Sequence, residues 1–165
     1  TVGIAGGATK AALCRDEFGY DAAIDYKTGD LAAALAEACP NGIDVYFELT
    51  GGDILTAVLP LLNQFARIPV CGTIASYNAT TPPPGPDQLP ALMRLILTRS
   101  LTLRGFIVSE FAADTPEFET AMSAWLAEGA IRYREETSHG LDSMVPAFIG
   151  MLEGRNFGKT LVNLT

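Results

Sequence analysis

Val2-Gly3-Ile4-Ala5-Gly6-Gly7-Ala8-Thr9-Lys10 decides how this chain is read. A short apolar run stops at a pair of glycines, no carboxylate stands at its end, and Lys10 follows within the next turn. An apolar run that passes through glycine into a helix-forming segment predicts a strand, a tight turn and a helix N-terminus. Such a junction collects backbone N–H groups and suits an anion. The same residues also fit an ordinary strand-to-helix turn with Lys10 a solvated side chain of the first helical turn.

Working outward, apolar runs alternate with helical patterns. Strands are expected at Val2–Ala5, Ala22–Tyr26, Asp44–Leu49, Arg67–Cys71 and Leu101–Val108. Between them, apolar residues recur near a period of 3.6 over Thr9–Phe18, Leu31–Cys39, Asp53–Asn63 and Gln88–Thr98, and Gly19 stands just past the first of these as a helix stop. Runs such as Val45-Tyr46-Phe47 carry little polar interruption, as expected of strands covered on both faces. The fold class is therefore α/β, a doubly wound, Rossmann-like parallel sheet. A long helix near Pro116–Glu128, a short strand near Tyr133, a helix near Ser143–Glu153 and a strand over Thr160–Leu164 complete the chain. The proline-rich stretch Thr80–Pro86 continues neither a helix nor a strand and reads as a surface loop on the carboxyl edge of the sheet, where open α/β sheets bind ligands.

In a fold of this class the end of the second strand meets the adenosine ribose. An acidic residue there pairs with the free hydroxyls of NAD, whereas a cation accommodates the additional phosphate of NADP. Lys10 without a carboxylate points to NADP(H). No Gly-x-Gly-x-x-Gly turn occurs anywhere in the 165 residues, so the reading places a first strand and its pyrophosphate turn upstream of Thr1.

Composition narrows the partners. The chain is 48% hydrophobic and 18% charged, with a net charge of −8 and no basic run, which argues against nucleic acid. Three cysteines at wide spacing and a single histidine, His139, provide neither a disulfide framework nor a zinc ligand set, so no metal and a reducing, cytoplasmic compartment are expected. No apolar run reaches the roughly 20 residues of a membrane helix, and no targeting signal is read at the N-terminus. His139 and the acidic pair Glu135-Glu136 read as solvated.

Five blocks in order carry a resemblance over essentially the whole chain: Val2 to Lys10, Gly19 to Lys27, Gly42 to Glu48, Val70 to Asn78 and Asn156 to Val162. Together they resemble the cofactor domain and C-terminal portion of zinc-independent medium-chain dehydrogenases/reductases, in the prostaglandin reductase, leukotriene 12-hydroxydehydrogenase and curcumin reductase branch. The resemblance implies an NADP-binding domain over 1–131 and a C-terminal segment, 132–165, that returns to a catalytic domain. It also implies a homodimer and metal-free reduction of the carbon–carbon double bond of small-molecule unsaturated ketones or aldehydes.

Carried over residue by residue, it makes Lys10 and Tyr26 partners of the adenosine 2′-phosphate. Cys71, Gly72, Thr73, Ile74, Ala75, Ser76 and Tyr77 become the loop beside the cofactor. Phe106, Ile107 and Val108 become a strand end whose backbone faces the nicotinamide amide, and Asn156 a contact from the C-terminal segment. Tyr77 is the expected catalytic residue, its phenol donating to a developing oxyanion or relaying a proton. One departure stands out. Where the family has an acidic residue followed by Asn, Val, Gly, Gly, this chain has Glu48-Leu49-Thr50-Gly51-Gly52, so only the backbone of Leu49 is available to a cofactor. Two further readings accompany the reductase: an allylic or secondary alcohol dehydrogenase of the same fold, and a non-catalytic nucleotide-binding or interaction module.

Overall fold

A computed structural model describes residues 1–81 and 87–164. Pro82–Pro86, the centre of the loop expected from the proline run, lies outside the described residues. The chain divides into two compact units. The first contains Gly3–Lys27 with Pro116–Thr165, and the second contains Thr28–Thr115.

In the first unit, β1 (Val2–Ala5) leads through Gly6-Gly7 into α1 (Ala8–Asp16) and returns as β2 (Ala22–Asp25). The Ala22 N–H donates to the Thr1 carbonyl at one end, and the Tyr26 N–H to the Ala5 carbonyl at the other, so the two strands run in the same direction. Ala11 of α1 and Ile24 of β2 are buried. The remainder of the unit is α5 (Thr115–Ala127), β6 (Glu135–His139), α6 (Met144–Leu152) and β7 (Lys159–Asn163). Strands β6 and β7 pair in parallel from Glu135 with Lys159 to His139 with Asn163. The strand expected near Tyr133 therefore begins two residues later, where pairing with β7 and not local composition selects the residues. Val145, Phe148 and Ile149 of α6 are exposed.

The second unit runs α2 (Leu31–Ala38), β3 (Ile43–Val45), α3 (Gly52–Val58), β4 (Leu62–Val70), α4 (Leu89–Arg99) and β5 (Thr102–Gly105), with sheet order β3-β4-β5, all parallel. Helix α2 starts where the Asp30 carboxylate accepts the Ala33 N–H, an ordinary N-cap, and it buries Leu35. Leu35, Val58, Leu62 and Ile68 are almost completely enclosed and form the centre of the core.

Four expected boundaries are corrected, the first being β3, which spans Ile43–Val45 instead of the expected Asp44–Leu49. The helix expected over Asp53–Asn63 ends at Val58, because Pro60 has no N–H for the α ladder, and Leu59–Leu61 tightens into a 3₁₀ turn. β4 accordingly starts at Leu62 instead of Arg67. Its register with β3 jumps between the pairs Ile43–Leu62 and Val45–Arg67, and this bulge holds Phe65 at φ 64°. β5 stops at Gly105, well before Val108. There the Glu110 carboxylate accepts the Ile107 N–H and turns the chain into a 3₁₀ segment over Val108–Asp114. Among the described residues, no helix is long and apolar enough to cross a membrane.

Candidate functional site

The expected site residues fall into two groups, one in each unit. In the first unit the carboxyl ends of β1 and β2 lie side by side, which brings Tyr26 and Lys27 to the turn at Gly6-Gly7. A Cβ built on Gly6 would lie 2.9 Å from Lys27 Cε and 3.1 Å from both Tyr26 Cε1 and Tyr26 Oη. Gly6 is therefore the floor of a small cradle whose wall is a phenol and the stem of an ammonium. The Asp25 carboxylate oxygen Oδ1 accepts the Gly7 N–H at 2.7 Å and the Lys27 N–H at 3.0 Å, so one side chain clamps both turns. Gly7 itself, at φ 102°, precedes α1 without any side-chain cap and leaves the start of the helix open. Tyr26 is 44% exposed, so its hydroxyl can reach a ligand from this position.

Lys10 stands in the first turn of α1, and its ammonium donates to the Gly154 carbonyl at 2.7 Å. Gly154 closes the turn after α6, two residues before Asn156. Asn156 Nδ2 donates to the Gly158 carbonyl, the Glu136 carboxylate accepts the Phe157 N–H at 2.8 Å, and the Arg134 guanidinium lies 4.9 Å from the centre of the Phe157 ring. The Asn156 turn is thus fastened to β6 on one side and reached by Lys10 on the other. Among the described residues its amide oxygen accepts no hydrogen bond and keeps its acceptor capacity for a ligand.

In the second unit, Cys71–Tyr77 follows β4 at the carboxyl edge of the sheet. This loop is laced to the segment after β3. The Glu48 carbonyl accepts the N–H groups of Cys71 and Gly72, the Leu49 carbonyl that of Ile74, and the Thr50 carbonyl that of Ala75. The Ser76 and Tyr77 N–H groups close onto the Thr73 and Ile74 carbonyls. Among the described residues this leaves the Thr73 N–H as the loop's backbone donor. What the loop offers a ligand is therefore that N–H, carbonyl oxygens and the Tyr77 hydroxyl.

A Cβ built on Gly72 would lie 3.1 Å from Tyr77 Oη and 3.3 Å from the Leu49 carbonyl oxygen, so the phenol folds back over Gly72 toward the Leu49 backbone. Leu49 holds its side chain half exposed and contributes its carbonyl to the lacing, as its place in the departed motif requires. Phe106, Ile107 and Val108 lie beyond the end of β5. The Phe106 N–H donates to the Val70 carbonyl and the Ile107 N–H to Glu110, so these two donors are already engaged.

Glu48 organises this group from beneath. It is 2% exposed, and its Oε1 accepts the Thr50 and Gly51 N–H groups at 2.5 and 2.8 Å. Burial, reinforced by the Glu48 carboxylate, pushes the Tyr46 phenol well above its ordinary pKa and keeps it neutral.

Sequence reasoning did not single out Lys27, Asp25 or the Glu48 side chain. A signal was present in the run Asp25-Tyr26-Lys27 at a strand end. Strand alternation, however, sends neighbouring side chains to opposite faces, and only the turn after Asp25 brings both Tyr26 and Lys27 over Gly6. Among the described residues, no group of three or more His, Cys, Asp or Glu is placed to hold a metal ion.

The cradle's phenol and lysine, with Lys10 on the adjoining helix, are donor types that suit a phosphate monoester, whose oxygens accept charge-assisted hydrogen bonds. Comparison with known proteins gives that chemistry a context. Residues 1–128 match the family described as zinc-binding dehydrogenase. The chain is 48% identical over 164 residues to the NADPH-dependent curcumin reductase of Escherichia coli (strain K12), covering 99% of this chain and 48% of that protein. It is 40% identical over 164 residues to prostaglandin reductase 1 of Rattus norvegicus, covering 98% of this chain and 48% of that protein. The crystal structure of CurA from Vibrio vulnificus in complex with NADPH superposes with a TM-score of 0.95 at 47% identity, over 99% of this chain and 49% of that one. The chain spans about half the length of the curated relatives it matches.

Proposed function

The chain belongs to the zinc-binding dehydrogenase family, and from that membership we propose that it is the nucleotide-binding portion of an NADPH-dependent oxidoreductase that reduces the carbon–carbon double bond of unsaturated ketones or aldehydes. The observation that carries the proposal is the cradle at Gly6, where Tyr26 and Lys27 overlie a glycine turn and Lys10 stands on the adjoining helix. That donor set suits the one group that distinguishes NADP from NAD. The names and NADPH complexes of the similar proteins support the same cofactor.

In this reading Lys10 and Tyr26 hold the 2′-phosphate. Cys71 to Tyr77 line the cofactor through carbonyl oxygens and the Thr73 N–H, since their other backbone donors are used within the loop. Phe106 to Val108 and Asn156 supply the remaining polar contacts, with Phe106 and Ile107 acting through carbonyls because their N–H groups are engaged. When bound, NADPH supplies the hydride that adds to the β-carbon of the unsaturated carbonyl. In this proposal Tyr77 donates a hydrogen bond to the carbonyl oxygen as negative charge develops there, and its phenol passes a proton onward. Electrophilic assistance from a phenol makes the proposed reaction independent of a metal. Segment 132–165 is assigned to packing against a catalytic domain, which accounts for the exposed apolar side chains of α6. A homodimer is consistent with the open edge of β5, whose four residues are all exposed. A cytoplasmic location accords with three unpaired cysteines.

The test is titration of the full-length protein with NADPH and NADH, followed by turnover of an enone and of an allylic alcohol. Tighter binding of NADPH, loss of that preference in Lys10→Ala, and faster turnover of the enone are expected. Equal binding of the two nucleotides would sink the cofactor assignment, and faster oxidation of the alcohol would replace the reductase by a dehydrogenase of the same fold.

A further inference from the structure

We infer that Lys27 is a second cation for the 2′-phosphate and, together with Lys10, makes the site selective for it. This rests on the NADP(H) reading above and extends it to a residue to which the sequence analysis gives no role. Two observations carry it. The first is placement. The Lys27 stem approaches the point above Gly6 to 2.9 Å and the Tyr26 hydroxyl approaches the same point to 3.1 Å, so both side chains cover one glycine. The Lys27 backbone is held there, because its N–H and that of Gly7 share Asp25 Oδ1.

The second is charge. A phosphate monoester carries about −1.5 to −2 at neutral pH. By formal charge Lys10 and Asp25 sum to zero, so this pair by itself brings no net positive charge to a phosphate at the turn. Lys10 is further committed, since one of its three donors is given to the Gly154 carbonyl at 2.7 Å. Lys27 brings the balance to +1 and supplies a donor in place of the one Lys10 gives to Gly154. A nucleotide that lacks the phosphate gains nothing from it, and for that reason Lys27 acts on selectivity and not on nucleotide binding in general. Asp25 keeps its place because it clamps the two turns, and Lys27 compensates its charge.

The experiment measures dissociation constants of NADPH and NADH for the full-length protein and for Lys27→Met, Lys27→Arg and Lys10→Met. Lys27→Met should weaken NADPH about tenfold, as expected for loss of one exposed charge-assisted partner, with NADH changed by less than about twofold. Lys27→Arg, which keeps the charge, should recover most of the loss. An unchanged NADPH preference in Lys27→Met alongside a reduced preference in Lys10→Met would overturn the role of Lys27 and leave the cofactor reading standing. No preference in the unmutated protein would overturn both.

Discussion

Gly6→Ala isolates the cradle without removing any charge. The new methyl carbon would lie 2.9 Å from Lys27 Cε and 3.1 Å from Tyr26 Cε1 and Oη, whereas nonbonded carbons rest at about 3.5–4.0 Å. Gly6 is outside the left-handed region, so alanine meets no backbone strain, and the displaced side chains are exposed or half-buried. The lysine stem swings aside easily. The tyrosine ring is stiffer and carries its hydroxyl away from the turn. Stability should therefore change by less than about 1 kcal/mol. A displaced phenol forfeits a hydrogen bond to a charged phosphate, about 1.5–3 kcal/mol, which corresponds to about 10- to 100-fold weaker NADPH binding. NADH binding should hardly move. Nucleotide fluorescence titration gives both constants, and a thermal melt of the same samples verifies the fold. NADPH bound as tightly as before, with an unchanged melt, would refute the placement of the phosphate over Gly6. Equal weakening of both nucleotides would show that the turn serves the nucleotide at large.

Gly42→Ala should cost about 2–4 kcal/mol in urea unfolding, because a methyl group would meet Asn63 Oδ1 at 2.1 Å at φ 78° and break the Asn63 hydrogen bonds to Asn41 and Asp44. Gly72→Ala should displace the Tyr77 hydroxyl, now 3.1 Å from the new carbon, and lower kcat for the enone about tenfold or more while the affinity for NADPH changes little. Equal loss of kcat and of nucleotide affinity would instead assign Gly72 to cofactor binding. For Tyr46 the sign follows from the raised pKa. The folded state holds the phenol neutral while the unfolded chain releases its proton near the ordinary value of 10.0. Its contribution is thus complete below that value and declines as pH rises above it. Urea melts between about pH 8 and pH 11 should show this decline, and Tyr46→Phe should flatten it.

Much of the architecture could be read locally. Alternating apolar runs and helical periods located the α/β elements through β5, although the expected cover on both faces is not seen at Val45, Phe47 or β5, which are exposed. Lys10 and Tyr26 could be picked out as candidates because each sits at a strand end or a helix start, positions defined by near neighbours. The helical period over Asp53–Asn63 masked the break that Pro60 makes, and with it the start of β4 at Leu62. That start depends on Leu62 pairing with Ile43 and on its burial in the core.

What sequence alone determined here was periodicity, turn chemistry and the residue types at the ends of strands. Tertiary structure decided the contacts that bridge distant segments. It bonded Lys10 to a carbonyl 144 residues away, laid Lys27 over Gly6, clamped two turns with Asp25, and consumed the backbone donors of Cys71, Gly72, Ile74 and Ala75 in lacing to Glu48–Thr50. The physical reason is that hydrophobic period and backbone preference are properties of adjacent residues. Which donor remains available to a ligand is known only after every nearby carbonyl and carboxylate has taken its partner.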